Sequence, residues 1–293
     1  MDDPRVVSRD EWLAARRKLL AQEKEFTRQR DALNTERRKL PMVEIDKGYI
    51  FRGPDGQATL PDLFKGRGQL LVYHFMFDPE WHEGCESCSF LADGIGHLDH
   101  LHARDTTLAM VSRAPLAKLE AFRQRMSWTV PWYSSSGSDF NYDFHVTLDP
   151  AVAPVEYNYR DLDELGPQWQ GWTGEMHGLS AFLHRGDRVF HTYSSYARGT
   201  DMVNSTYHWL DLTARGRQEN WEQPPGRSDG WTMTSLLEAP AATIGKTFSR
   251  ESVRKSMTTG RSSIAFALST TVATSSLCST LKAAHPIASA HLT

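Results

Sequence analysis

The sequence predicts an α/β fold with a central mixed sheet flanked by helices, preceded by one long helix. An apolar strand-like run, Leu70–Tyr73, leads into a loop that holds Cys85-Glu86-Ser87-Cys88, and a helix-like segment follows. Strand and helix patterns then continue to alternate, which is typical of parallel strands joined by crossover helices. Two later strand patterns, Leu179–His184 and Val189–Tyr193, are separated by a short polar turn and predict an antiparallel hairpin.

The composition favours a protein with an ordinary hydrophobic core and without a strong overall electrostatic field. The chain of 293 residues is 40% hydrophobic and has a net charge of −3 at pH 7, so its charge does not favour nucleic acid or membrane partners. It contains no apolar run of about 18 residues that would predict a transmembrane helix. Its acidic start lacks the apolar core of a signal peptide, and its three cysteines are too few for a disulfide framework. We therefore expect a cytoplasmic protein.

A long helix is predicted between Ser8 and Leu40. Ser8 and Glu11 have the spacing of a capping box, and Pro41 ends the segment. We expect residues 1–42 to form a helical extension that packs on the main domain or forms a homodimer with a second subunit. The many charged residues favour a solvated face with ion pairs over a nucleic-acid contact. The apolar side chains form a broken stripe of Trp12, Leu13, Leu19, Leu20, Phe26 and Leu33.

The main domain is predicted over residues 43–221. Its elements are a hairpin around Gly53-Pro54-Asp55-Gly56, strands at Leu70–Phe75 and Thr106–Ser112, helices at Ser89–Ala103 and Leu116–Met126, and the later antiparallel hairpin. A parallel βαβ half followed by an antiparallel hairpin is the plan of a thioredoxin-like sheet. Residues 222–293 are rich in Ser, Thr and Ala without a sustained apolar period, so we expect a disordered tail.

The Cys-x-x-Cys sequence predicts a thiol–disulfide redox site. Cys85 would sit at a helix N-terminus, where unpaired N–H groups and the helix dipole favour the thiolate. Cys88 lies one turn further on, close enough to resolve a mixed disulfide. Against this, the Glu86 carboxylate is expected to raise the pKa of Cys85. No bound organic cofactor is needed for this chemistry.

Comparison with two thiol-enzyme classes leaves the substrate open. Thioredoxins place a cis-proline before the third central strand, but this chain has Met176-His177-Gly178 there. Peroxiredoxins use a threonine that has no counterpart before Cys85, although Arg113 would suit the stabilisation of a thiolate and a peroxide oxygen. Trp81 belongs to a set of aromatic residues that either wall a substrate pocket or pack in the core. Packing is the favoured interpretation.

Metal binding is the main alternative for the cysteines. Cys85 and Cys88 with His97 and His100 supply the residue types of a tetrahedral zinc site. In an unbroken helix, a rise of 1.5 Å per residue places His97 roughly 13 Å from Cys88, so a shared ion requires a kink near Gly94. His74, inside a strand, is expected to be a core histidine. In this alternative the protein is a non-catalytic binding module with a structural or zinc-bound cysteine pair.

Long segments of the chain resemble a known bacterial family. They are Tyr73–Asp93, Val111–Phe122, Ser135–Phe144 and Phe190–Met202, within a match from about Trp12 to Gly216. The chain resembles DUF899, a family of unknown function grouped with thioredoxin-like proteins. The resemblance implies the fold and leaves the activity open. We expect thiol–disulfide exchange or peroxide reduction, with an external thiol reductant and a disulfide or peroxide substrate.

Overall fold

The computed structural model describes residues 4–219. The predicted tail, residues 222–293, lies outside the described residues, and the domain boundaries proposed at residues 42 and 221 stay predictions. Within residues 4–219, no helix combines the length and the apolar content needed to cross a membrane.

Twelve strands and eight α-helices make up the described chain. The strands are β1 Val43–Ile45, β2 Ile50–Gly53, β3 Gly56–Thr59, β4 Gln69–His74, β5 Thr106–Ser112, β6 Trp132–Ser134, β7 Thr147–Leu148, β8 Glu156–Tyr157, β9 Arg160–Asp161, β10 Gly174–Glu175, β11 Gly178–Arg185 and β12 Arg188–Tyr196. The helices are α1 Arg9–Arg37, α2 Leu60–Leu63, α3 Glu86–Asp93, α4 Asp99–His102, α5 Leu116–Met126, α6 Phe140–Asp143, α7 Leu162–Leu165 and α8 Ser205–Leu210. Two 3₁₀ segments span Pro167–Trp169 and Ala197–Val203.

The central sheet has a thioredoxin-like core with strands added at both edges. Its order is β1-β12-β11-β4-β5-β6-β2-β3. Strands β4, β5 and β6 are parallel, whereas β11 is antiparallel to both β4 and β12. A parallel pair flanked on one side by an antiparallel hairpin is the predicted thioredoxin-like arrangement, which the topology confirms. The loop that holds the cysteines follows the carboxyl end of β4.

Alternation along β4 divides the core into two clusters. Leu70 and Val72 pack on one face, while Tyr73 and Phe75 pack on the other, with Cys85 and its neighbours. Successive side chains of a strand point to opposite faces, so a nearly continuous apolar run marks a strand covered on both sides. Each fully buried aliphatic or aromatic side chain of this kind contributes about 1.5–3 kcal/mol.

The helix predicted over Ser89–Ala103 is interrupted. Helix α3 ends at its C-cap Gly94, and α4 begins only at Asp99. The Ser205 hydroxyl donates to the Gly94 carbonyl at 3.0 Å, and a Cβ at Gly94 would lie 2.5 Å from Ser205 Oγ. The close approach of α8 therefore explains both the glycine and the end of α3.

Helix α1 confirms the prediction of a long N-terminal helix. The Glu11 N–H donates to Ser8 Oγ at 3.2 Å, and within the described chain the helix buries none of its 29 residues. One contact with the sheet lies near its end, where the Arg37 guanidinium is 4.9 Å from the Tyr193 ring centroid. Of the two partners expected for the apolar stripe, the main domain does not bury it within the described chain, and the second subunit stays a prediction.

Candidate functional site: a cysteine pair at the end of β4

Backbone hydrogen bonds fix Cys85 at the start of α3. Cys85 is the N-cap residue, and its N–H donates to the Met76 carbonyl at 3.0 Å. The Ser89 N–H and hydroxyl both donate to the Cys85 carbonyl at 2.9 Å. This anchoring holds the Cys85 sulfur next to the unpaired N–H groups of the first helical turn, as the sequence predicts.

The surroundings of Cys85 favour its thiolate. The Cys88 side chain, the Ser87 hydroxyl and the N–H groups of Cys88 and Ser87 together lower the pKa of Cys85 to about 7, against the opposing effect of burial. The sulfur lies 3.0 Å from Ser87 Oγ and the residue is 8% exposed. A thiol with a pKa near 7 is about half ionised at neutral pH, compared with a few per cent for an ordinary cysteine.

Cys88 has the opposite character. It is 1% exposed, and the Met76 N–H donates to its sulfur at 3.4 Å. Burial and the neighbouring Cys85 raise the pKa of Cys88 well above its ordinary value. Both residues are free thiols. The pair thus combines one acidic, slightly accessible thiol with one shielded thiol, which is the asymmetry that thiol exchange requires.

The expected effect of Glu86 on Cys85 stays a prediction. The pKa of Cys85 falls because of the Cys88 side chain, the Ser87 hydroxyl and the N–H groups of Cys88 and Ser87. The pKa of Glu86 is itself raised by partial burial and by Glu83.

Trp81 lies in the loop between β4 and Cys85 and packs against the cluster that contains both cysteines. Its N–H donates to the Asp78 carbonyl at 3.1 Å. The Lys118 ammonium, on α5, donates to the Trp81 carbonyl at 3.0 Å and also to the Pro79 carbonyl. The loop is therefore tied to α5. Of the two interpretations of Trp81, core packing or the wall of a substrate pocket, this geometry favours packing.

Arg113 follows β5 and forms ion pairs with two acidic residues. Its Nη2 lies 3.0 Å from Asp78 Oδ2, and its Nε lies 2.9 Å from Glu175 Oε1. Its Nη1 donates to the Tyr142 hydroxyl at 2.5 Å. None of its hydrogen bonds or ion pairs within residues 4–219 reaches a cysteine, so the predicted role at the Cys85 thiolate stays a prediction.

Glu175 is a buried acid that the sequence analysis missed. Burial raises its pKa to about 7, although Arg113 and the Thr147 hydroxyl act in the other direction. Thr147 Oγ1 lies 3.1 and 3.0 Å from the two carboxylate oxygens. An isolated acidic residue just before a strand carries no sequence signal that would separate it from a surface residue.

A second polar network lies on the face of the central sheet opposite to the two cysteines. His74 Nε2 is 2.8 Å from Ser180 Oγ, which is 2.8 Å from Ser194 Oγ, which is 2.8 Å from His191 Nε2. His74 is buried, as expected, and its Nδ1 has no hydrogen-bond partner in the described chain. Burial, with a smaller effect of His191, lowers the pKa of His74 to about 3. In the sequence, this network could have been inferred from the serines at inward positions of strands β11 and β12.

At the place where thioredoxins carry a cis-proline, this chain has Met176-His177-Gly178, and Gly178 is the first residue of β11. Gly178 pairs with His74 of β4, and a Cβ at Gly178 would lie 2.7 Å from Tyr196 Cδ1. The preceding carbonyl, that of His177, accepts a hydrogen bond from the Tyr157 hydroxyl at 3.1 Å. A glycine is thus required for close packing, and this carbonyl already has a partner.

The four residues of the alternative zinc site do not form one group in the described chain. The break after Gly94 supplies a kink between α3 and α4, yet within the described residues no three or more His, Cys, Asp or Glu side chains form a group that could hold a metal ion. His97 lies in the break and His100 lies on α4. The four proposed ligands, Cys85, Cys88, His97 and His100, are not brought together.

A family model described as "Bacterial protein of unknown function (DUF899)" matches residues 1–236. The chain belongs to this family. The DUF899 match extends beyond the segment from Trp12 to Gly216 on which the sequence resemblance rests. No curated protein matches the chain.

Several solved structures are similar to this DUF899 chain at low identity. Peroxidoxin BcpB from Mycobacterium tuberculosis is 12% identical, with a TM-score of 0.38, over 58% of this chain and 97% of that one. A PrxQ mutant from Xylella fastidiosa is 12% identical, with a TM-score of 0.37, over 58% and 95%. A putative protein disulfide isomerase from Bacteroides thetaiotaomicron is 16% identical, with a TM-score of 0.33, over 58% and 91%. The thioredoxin-like assignment follows from the strand order and connections of the sheet.

Proposed function

We propose that this protein is a thiol–disulfide oxidoreductase in which Cys85 attacks and Cys88 resolves. The observation that supports this proposal most directly is the difference between the two thiols at the start of α3. Donors directed at Cys85 lower its pKa to about 7, while burial and the neighbouring thiol raise the pKa of Cys88. Cys85 is the more exposed of the two, at 8% against 1% for Cys88, which favours Cys85 as the thiol that meets a substrate.

The reaction proceeds in two exchanges. The Cys85 thiolate attacks one sulfur of a substrate disulfide, a mixed disulfide forms, and the other substrate sulfur leaves as a thiolate that takes up a proton. Cys88 then loses its proton and attacks the Cys85 sulfur, which releases the second substrate thiol and leaves a Cys85–Cys88 disulfide. An external dithiol reductant gives up two electrons and two protons to restore both thiols. No organic cofactor takes part.

A peroxide substrate would use the same two cysteines. The Cys85 thiolate attacks the O–O bond, giving a sulfenic acid and an alcohol or water, and Cys88 condenses with the sulfenic acid to release water and form the same disulfide. The external thiol reductant is again required. The disulfide substrate is preferred because Arg113, the candidate partner of a peroxide oxygen, is engaged by Asp78 and Glu175.

Trapping of the mixed disulfide tests the assignment of roles. In a background of Cys278→Ser, which removes the third cysteine of the sequence, the Cys88→Ser variant should accumulate a mixed disulfide with a small disulfide probe. The Cys85→Ser variant should accumulate little, because its remaining thiol is shielded and has a raised pKa. Mass spectrometry of the intact protein measures both. Trapping by Cys85→Ser but not by Cys88→Ser would reverse the roles.

The alternative is a non-catalytic binding module with a structural or zinc-bound cysteine pair. Under that alternative, both thiols of the reduced wild-type protein stay inert towards disulfides and peroxides. A stoichiometric zinc that is lost on chelation would favour the metal-bound form. Reversible formation of the Cys85–Cys88 disulfide at neutral pH would contradict both forms of the alternative.

A further inference from the structure

Large apolar side chains recur on α1 at intervals of seven residues. They are Trp12, Leu19, Phe26 and Leu33, and Leu40 continues the series beyond the end of the helix. Their exposures are 46%, 49%, 65%, 57% and 51%, so the described chain leaves this row uncovered. A straight helix with 3.6 residues per turn drifts by about 20° per heptad, so a strict interval of seven faces one partner only when two helices coil around each other.

The helix also lacks the support that a helix of this length normally has. Its 29 residues span about 43 Å at 1.5 Å per residue. Most helical stability in proteins comes from packing of an apolar face, yet α1 buries no residue within the described chain. Its internal ion pairs, such as Arg28–Glu25 at 2.7 Å, are exposed and contribute little.

We infer that α1 pairs with α1 of a second copy of this chain as a parallel two-stranded coiled coil. The row of large apolar residues takes heptad position a. Positions g and e flank this row, and in a parallel pair each g residue faces the e residue five positions later on the other helix. The three complete charged combinations are Glu11 with Arg16, Lys18 with Glu23 and Glu25 with Arg30. Each joins opposite charges, and symmetry doubles each pair.

The same charges oppose the antiparallel arrangement. There, position e faces position e of the partner helix. The residues at e are Arg9, Arg16, Glu23, Arg30 and Arg37, of which four are positive. Whichever residues are aligned, arginines approach one another or a glutamate approaches itself. The charge pattern therefore selects both the partner, a copy of the same helix, and the parallel direction.

The positions opposite the apolar row limit the strength of this pairing. Position d is occupied by Ala15, Gln22, Gln29 and Glu36, so each heptad buries one large side chain instead of two. We therefore expect a dimer whose dissociation constant lies in the micromolar range and which depends on protein concentration.

Analytical ultracentrifugation of the full chain tests the pairing. Wild type should be dimeric at about 100 μM and dissociate on dilution. Phe26→Asp, at position a, should be monomeric throughout, whereas Ala21→Asp, which adds the same charge at an outward position of α1, should dimerise as wild type does. Because α1 buries no residue in the fold, near-ultraviolet circular dichroism should be unchanged in both variants. A monomeric wild type, or a Phe26→Asp variant that still dimerises, would overturn the inference.

Charge variants test the direction. Arg30→Glu turns two attractive pairs into repulsive ones and should weaken the dimer by about tenfold or more, while Lys24→Glu, with the same change of charge at position f, should not. In a parallel pair, mixing Arg30→Glu with Glu25→Lys restores opposite charges at both g–e contacts of this heptad, so the mixture should form heterodimers in preference to either homodimer. No preference for the heterodimer would contradict the parallel direction.

Discussion

Strand β4 serves two differently built regions on the two faces of the sheet. On one face Tyr73 and Phe75 belong to the cluster that contains Cys85 and Cys88. On the other face His74 stacks against Phe144, with ring centroids 5.8 Å apart, and bonds to Ser180. Both regions bury ionisable groups beside aromatic side chains.

The two regions differ in which form of the buried group their neighbours stabilise. Around Cys85, the Cys88 side chain together with hydroxyl and N–H donors stabilises the charged form enough to overcome burial, so the thiol becomes more acidic. Around His74 one ring nitrogen bonds to Ser180 and the other has no partner in the described chain, so burial keeps the imidazole neutral. Burial alone therefore does not make a reactive site, because the direction of the neighbouring donors decides which form is populated.

Removal of His74 should produce the largest change in stability. His74→Ala leaves a cavity beside Phe140 and Phe144 and deprives the Ser180 hydroxyl of a partner. We expect the free energy of unfolding to fall by about 2–4 kcal/mol. Urea denaturation measures this, with the exposed His82→Ala as control, for which a change within about 0.5 kcal/mol is expected. Equal effects of the two variants would show that the histidine network does not support the fold.

Glu175→Gln should change how stability depends on pH. The folded protein raises the pKa of Glu175 from 4.5 to about 7, so the folded carboxyl keeps a proton that the unfolded chain releases. The resulting stabilisation is complete below about pH 4.5 and is lost as the pH rises through 7. Glutamine cannot ionise, so as the pH rises from below 4.5 to above 7 the variant should gain about 3 kcal/mol relative to wild type.

Unfolding curves at several pH values between 4.5 and 8 measure this difference. The variant Glu80→Gln removes an exposed carboxyl from the loop after β4 and serves as control. If the stability of Glu175→Gln and that of wild type vary in parallel with pH, the burial of an acidic proton at this position is contradicted.

The buried histidines should make stability depend on pH in the direction opposite to that of Glu175. The lowered pKa values of His74 and His191 mean that the unfolded chain binds protons first, from about pH 6.5 downwards. Stability should therefore fall with falling pH between about 6.5 and 3, by at most about 1.4 kcal/mol per pH unit for each histidine. His74→Gln should remove part of this slope while retaining a group that can bond to Ser180. An unchanged slope in His74→Gln would contradict the neutral state of the imidazole.

Ser87→Ala should produce the smallest effect. The hydroxyl 3.0 Å from the Cys85 sulfur is one of several groups that lower the pKa of Cys85, and the Cys88 side chain has the larger effect. We expect the pKa of Cys85 to rise by less than about one unit, because one hydrogen bond contributes roughly 1 kcal/mol. Ser89→Ala is the matched control, since that hydroxyl bonds to the Cys85 carbonyl. A larger shift in Ser89→Ala than in Ser87→Ala would contradict this assignment.

Local patterns predicted those parts of the molecule that local interactions determine. Strand β5 and helix α5 have the predicted bounds, Thr106–Ser112 and Leu116–Met126, because apolar spacing and Pro115 define them within one segment. The strand–loop–helix setting of Cys85 and Cys88 is local in the same sense.

Features that join distant segments could not be predicted in this way. The bond between His74 and Ser180 spans 106 positions of the sequence, and the bond between Ser205 and Gly94 that accompanies the end of α3 spans 111. The contact between Arg113 and Glu175 likewise depends on strands that meet only in the folded sheet. The helix start predicts the lowered pKa of Cys85, but the sequence does not show that the Cys88 side chain and the Ser87 hydroxyl also point at the sulfur.

The most direct test is the rate of alkylation of Cys85 and of Cys88 as a function of pH in the reduced full chain, resolved by peptide mass spectrometry. The rate at Cys85 should rise with an inflection near pH 7, and Cys88 should react far more slowly at every pH up to about 9. An inflection for Cys85 at its ordinary value of about 8.5 or above, or equal rates at the two thiols, would contradict the proposed division of roles.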